Sequence, residues 1–329
     1  MTIIAAVLVT YLILINISSG YFLLAVDVAH PVAPLVSVHG KKPHHGGGTL
    51  YFVDVHEIDA SEFDMLFRDW LYPHSTTLKA SRVLPPGTSR AQYIRTTLRE
   101  MAVSQKIAPA VAEKQLGYPV VVHKNGVLVD NVYGGVPASS KIDPADVIVA
   151  ANGKPTITLA ELQAVEGTIK PGDVIHLTIL RGTKTIHVDV KTFPEPKDKT
   201  RAIIGLVPEQ SVTSIDLPVK VSIDAQGIGG PSAGLSLTLE VMRQLGADVT
   251  HGYRVAVTGT ISIDGSVGPI GGIKQKTYGA REAGAQIFLV PKAGDNARDA
   301  RRFAGPDLKI IPVTSLKQAL RALAKLPQK

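Results

Sequence analysis

A chain of 329 residues, 45% of them apolar, is longer than one typical domain and can bury more than one core, which excludes a disordered chain and sets two domains plus accessory segments as the starting expectation. It contains no cysteine, so disulfides, thiolate metal sites and cysteine nucleophiles are excluded together. The net charge of +7 is dispersed, and the densest basic run, Lys191 to Arg201, also holds Glu195 and Asp198, as a solvated linker does and a nucleic-acid surface does not.

Ile3 to Val26 carries no charged side chain and is long enough to cross the hydrocarbon core of a bilayer as one helix. Residues 1–26 are therefore read as a single-pass transmembrane anchor. A cleaved signal peptide fits less well, because the apolar stretch outruns a usual h-region and no basic n-region precedes it. Lys41 and Lys42 are the nearest cations and by themselves favour a cytoplasmic C-terminal side. Residues 27–48, rich in Pro, Gly and His, read as a tether. His39, His44 and His45 have no acidic or cysteine companion there, and no metal site is assigned.

From Thr49 to Leu116 the pattern predicts an accessory region of strand and helix: a strand over Leu50 to Val53, a capped helix from Ser61 with Trp70 near its end, and a helix from Tyr93 that must accommodate Pro109. Pro85-Pro86-Gly87-Thr88-Ser89-Arg90 lacks the Gly-Lys-Ser/Thr ending of a phosphate loop.

Over 117–192, short β-branched runs at Pro119 to Val122, Val127 to Val132, Val147 to Ala151, Val174 to Leu180 and Thr185 to Val190 are separated by Gly, Asn and Pro turns, with one helix at Leu159 to Val165. Asp143-Pro144-Ala145-Asp146-Val147-Ile148 with Asn152-Gly153-Lys154, then Pro171-Gly172-Asp173-Val174-Ile175 and Leu180-Arg181-Gly182, resemble a PDZ domain. The resemblance implies capture of a peptide strand and its C-terminal carboxylate, with Leu116, Gly117 and Tyr118 as the carboxylate loop. A tight turn is the alternative reading of those three residues. Residues 193–200, with two prolines and alternating charge, read as a linker.

The last stretch, 201–329, alternates strands with helices and predicts an α/β domain, giving an α+β multidomain chain in all. Within it, Ser232 lies in Gly229-Gly230-Pro231-Ser232-Ala233-Gly234, before an apolar run that starts a helix. Glycines permit close backbone approach, and amides at a helix start can hold an oxyanion, with Gly230, Pro231 and Ala233 forming the turn. An N-cap serine is the plain alternative. A second turn, Gly271-Gly272-Ile273-Lys274-Gln275-Lys276, offers two lysines. On a helix from Ile273 the apolar stripe passes through Lys276, Thr277 and Ala280, with Lys274 on the other side, so Lys276 is the inward candidate. Burial favours the neutral amine that can take a proton from a serine hydroxyl. Such a pair performs acyl transfer without metal or cofactor. Thr258 is a candidate to hold the amine. A Ser-His-Asp alternative would need His251 with Asp224 or Asp264, which no spacing favours.

Gly230 to Gly234, Val257-Thr258-Gly259-Thr260, Asp264 to Lys276 and Ala280-Arg281-Glu282-Ala283-Gly284-Ala285 are similar to the proteolytic domain of Lon proteases. The resemblance implies Ser232 as nucleophile, Lys276 as general base and Thr258 as its support. Two positions depart: Gly229 and Thr260 stand where Lon proteases carry acidic residues. Because no Gly-Lys-Ser/Thr loop is present, no ATP binding is expected. The combination resembles membrane-anchored bacterial Lon-like proteases with a PDZ domain. It implies an ATP-independent serine endopeptidase at the membrane with its catalytic part outside the cytoplasm, acting on unfolded or C-terminally exposed polypeptides as a homo-oligomer, a hexameric ring. The resemblance outweighs the two lysines of the tether as a topology signal. A catalytically silent peptide-binding adaptor is the alternative.

Overall fold

The computed structural model describes residues 2–40, 47–84, 89–196, 198–225 and 227–328. These form two compact units, residues 1–119 with 217–329, and residues 120–216.

The first unit is built on a five-stranded sheet in the order His30–Pro31, Thr49–Phe52, Arg254–Val257, Ile287–Pro291, Lys309–Val313, with the last four strands parallel and the first antiparallel to its neighbour. Its strands are apolar on both faces, as a sheet covered on both sides requires. Leu50, Val255, Val257, Ile287 and Leu289 join one core with Leu235, Leu237 and Leu239, whereas Ala256, Phe288 and Val290 join another with Ile273, Ala280 and Ala300. Since successive strand residues point to opposite faces, the helix Gly234–Gln244 packs on one face and the helix Ile273–Glu282 on the other.

Residues 2–26 do not form the single membrane-crossing helix expected from hydropathy. A helix spans Thr2–Asn16, about 22 Å at the standard rise per residue and short of the roughly 30 Å of a bilayer core. Ser18–Val26 is instead the central strand of an antiparallel sheet, between Val55–Ser61 and Thr76–Lys79. Phe22 and Leu23 are buried there, so their apolarity serves a core. No helix among the described residues is long and apolar enough to cross a membrane.

Three further boundaries shift for the same reason, that tertiary pairing recruits segments with no strong local pattern. The expected tether places Val32, Leu35 and Val36 in the core and pairs Val36–Val38 with Val221–Ile223. His39 donates its amide to the Lys220 carbonyl, while His44, His45, Lys41 and Lys42 lie outside the described residues, as do residues 85–88 of the loop compared with phosphate loops. The expected accessory region supplies the strand Thr49–Phe52 and the long helix Arg90–Gln115, whose Met101, Ala108 and Val111 enter the core of the serine helix. In place of a linker, Phe193–Pro194 pairs with Ala202–Ile203, and the following strand Leu206–Asp216 belongs to the sheet of the second unit.

That second unit orders its strands Lys184–Lys191, Val174–Arg181, Val147–Ala151, Val121–Val132, Leu206–Asp216 around a core of Val127, Ile148, Ile175, Leu177 and Ile179. The helix Leu159–Glu166 starts at a capping box between Thr158 and Glu161. Arg181 clamps the buried Asp146 carboxylate through Nε and Nη2, at 2.8 and 2.7 Å.

Candidate active site

The carboxyl ends of parallel strands are where open α/β sheets place ligands, and three chain segments meet there. The strand Arg254–Val257 runs into Thr258 and Gly259. Gly259 donates its amide to the Ser232 carbonyl at 2.8 Å, and Leu235 donates to the Gly259 carbonyl at 3.1 Å, which stitches the serine turn to the strand end. Gly230, at φ +81°, reverses the chain before Pro231, and the 3-10 turn Pro231–Ala233 continues into the helix Gly234–Gln244. All eleven residues of that helix are buried, so Ser232 sits on a rigid support.

The lysine helix Ile273–Glu282 begins after Gly272, whose φ of +67° suits glycine. Ile273, Lys276, Thr277 and Ala280 face inward, and Lys276 is only 3% exposed. Its Nζ lies 2.8 Å from Ser232 Oγ, in hydrogen-bond contact. Lys274 points elsewhere, donating to the Ser75 carbonyl at 3.2 Å. Burial draws the Lys276 amine down to about 8 from its ordinary 10.5, against the opposing charge of Asp54.

Thr258, fully buried, donates its hydroxyl to the Ser232 carbonyl at 3.4 Å. It therefore braces the backbone of the serine, and the expected contact with the lysine amine is replaced by this one. The turn residues also divide differently from the expectation. The Gly230 amide is committed to the Thr97 carbonyl at 2.7 Å and Pro231 has no N–H, so neither is an oxyanion donor. Ala233 is buried behind the serine. The first-turn amide of Ser232 has no carbonyl upstream in the helix to receive it.

A cleft of about 470 Å³ opens on the pair, with Leu24, Val55, Ile94, Leu98 and Ile270 among its walls. Asp54 lines it two residues past the strand Thr49–Phe52, its Oδ1 buried without a hydrogen-bond partner among the described residues, and burial pushes this carboxyl up. Glu57, also at the cleft, accepts from Arg90 and from the Tyr93 hydroxyl, both at 3.1 Å. Asp27, His30 and Asp54 bring their side-chain atoms within 4.8 Å of one another. Within this cluster His30 Nε2 lies 3.8 Å from Asp27 Oδ1. His251 pairs with Asp248 at 3.8 Å and does not line the cleft.

Asp54 and the wall of the long helix are absent from the sequence reading. The signal for Asp54 is a carboxylate at the end of an apolar strand, visible only once that strand is placed in the parallel sheet. Leu116, Gly117 and Tyr118 are brought to a different task from the one expected. Their amides donate to the carbonyls of Ala112 and Glu113, of Lys114 and of Glu113, closing the end of the helix Arg90–Gln115. This corrects the carboxylate-loop assignment, because amides that cap a helix are already satisfied.

Residues 199–325 match the family model of the Lon protease (S16) C-terminal proteolytic domain, and residues 115–192 match that of the PDZ domain. A Lon protease of Chloroflexus aggregans is 40% identical over 102 residues, covering 30% of this chain and 12% of that protein. A Lon protease of Azorhizobium caulinodans is 27% identical over 243 residues, covering 71% of this chain and 26% of that protein. The aligned part thus spans about a quarter or less of these relatives. Among solved structures, the PDZ domain of the SdrC-like protein from Listeria monocytogenes is 25% identical, covering 27% of this chain and 92% of that one at a TM-score of 0.25.

Proposed function

We propose, from the premise that this chain carries a Lon protease C-terminal proteolytic domain together with a PDZ domain, that it is a serine endopeptidase hydrolysing peptide bonds without ATP. The observation that carries the reading is the 2.8 Å contact between Ser232 Oγ and the buried Lys276 Nζ. Neutral Lys276 accepts the hydroxyl proton as Oγ attacks the peptide carbonyl, and the resulting ammonium returns that proton to the leaving amine nitrogen as the C–N bond breaks. Water then attacks the ester, passing its proton through Lys276 back to Ser232. The Ser232 amide is the oxyanion donor on the nucleophile's side. Neither step calls for a nucleotide, and the sequence contains no Gly-Lys-Ser/Thr motif. The PDZ domain recruits unfolded or C-terminally exposed chains by strand addition.

The test compares parent, Ser232→Ala and Lys276→Ala on an unfolded protein and on a short chromogenic peptide, with no nucleotide. Each variant is expected to lose at least about a thousandfold in kcat, and a chelator to leave the parent unchanged. Equal cleavage by all three proteins would remove the dyad.

A further inference from the structure

The mechanism forms an ammonium on Lys276 at a position that is 3% exposed. A charge created in such surroundings requires a counter-charge that shares them. Gly229 brings none: a Cβ there would stand 2.8 Å from Thr97 Oγ1, so any side chain at that position must first displace that of Thr97. Thr260 instead accepts the Gly268 amide at 3.1 Å. Of the carboxylates at the cleft, Glu57 is shared between Arg90 and Tyr93, and Glu100 is exposed to solvent, where its field is screened. Asp54 differs from both. Its Oδ1 is buried and has no hydrogen-bond partner among the described residues, and it lines the same cleft as Lys276. The sheet also fixes its place, since Phe52 pairs with Val257 and the two strands deliver Asp54 and Thr258 to the same end.

We propose that Asp54 is the positioning residue of the dyad, its carboxylate stabilising the positive charge that Lys276 acquires when it takes the serine proton. The proposal rests on the peptidase reading above. The proton travels only between Ser232, Lys276, the leaving amine and water. The titratable groups acting on Asp54 are Asp27 from the preceding loop, His30 from the edge strand and Lys276 from the helix. Asp27 and burial push its carboxyl up, and His30 and Lys276 draw it down.

The experiment measures kcat and KM of the full chain against pH on the chromogenic peptide, with a serine-reactive phosphonate probe counting active sites. Asp54→Asn is expected to move the midpoint of the acid limb to lower pH, to lower plateau kcat about tenfold, and to leave KM unchanged, because a base without its counter-charge is weaker. Asp54→Glu keeps the charge and is expected to keep the parent's midpoint. A purely structural residue would lower the count of active sites without moving the midpoint, so an unmoved or upward midpoint in Asp54→Asn overturns the proposal, as does a Glu variant with the Asn midpoint. If Asp54→Asn does not fold, Asp54→Ser serves for the same reading. Activity retained by Ser232→Ala or Lys276→Ala would instead sink the underlying dyad, a distinct result.

Discussion

The Lys276 amine is drawn down to about 8 by its burial, so below that pH the fold holds a proton that the proposed base must first release. The rate on a short peptide is accordingly expected to rise with pH through about 8 and to level off above it, and a flat profile from pH 6 to 9 would contradict the assignment of the base. The same shift enters stability. Between about 8 and the ordinary 10.5 the folded state binds fewer protons than the unfolded state, so stability increases with pH across that window, and below it the fold carries a buried charge. Lys276→Met should therefore be inactive yet melt above the parent at pH 7, with the gap closing by pH 10, as thermal denaturation at both pH values will show. Lys276 was distinguishable from Lys274 in the sequence because helix phase is a local property: three residues of spacing decide which lysine joins Ile273 and Ala280. Asp54 was not distinguishable. Its role depends on a strand pairing with Arg254–Val257, two hundred residues away in the chain by about that measure, and no local period records such a pairing.

At the scale of elements, the lysine helix is held by close backbone packing. Gly279 faces the segment that follows the strand Ser18–Val26, and a Cβ there would run into the Asp27 carbonyl oxygen. Gly279→Ala must therefore move either the helix or that segment, with an expected loss of about 1–3 kcal/mol in stability and a fall in kcat as Lys276 leaves Ser232. Urea denaturation and peptide kinetics measure the two effects, and a neutral result in both would show that the packing is loose. This contact also explains why the N-terminal elements were misread. Hydropathy alone does not separate one long apolar helix from a helix followed by a buried strand; the division at Ser18 comes from pairing with Val55–Ser61 and Thr76–Lys79. The elements of the last third were more legible, since each carries its own period: the expected alternation of strands and helices recurs there, and the lysine helix starts at the expected Ile273.

In the whole molecule the unit that holds the cleft is discontinuous, with residues 120–216 inserted between its two parts. Residues 201–329 expressed alone lack the strand Thr49–Phe52 and the core residues Val32, Leu35 and Met101, and should be unfolded by circular dichroism and inactive. By contrast, Val121 and Asp216 are paired across adjacent strands, so a short Gly-Ser connection can replace residues 120–216. That variant is expected to cleave short peptides at the parent's rate while losing its advantage on unfolded proteins; loss of peptide cleavage would show that the inserted unit is needed for the fold. The distribution of the cleft along the chain has one more effect, on timing during synthesis. Asp54 leaves the ribosome before Ser232 and Ser232 before Lys276, and the serine turn needs the strand end at Gly259 to hold its shape. A nascent chain therefore carries an incomplete cleft until the segment that holds Lys276 has emerged and the strand end at Gly259 has been paired.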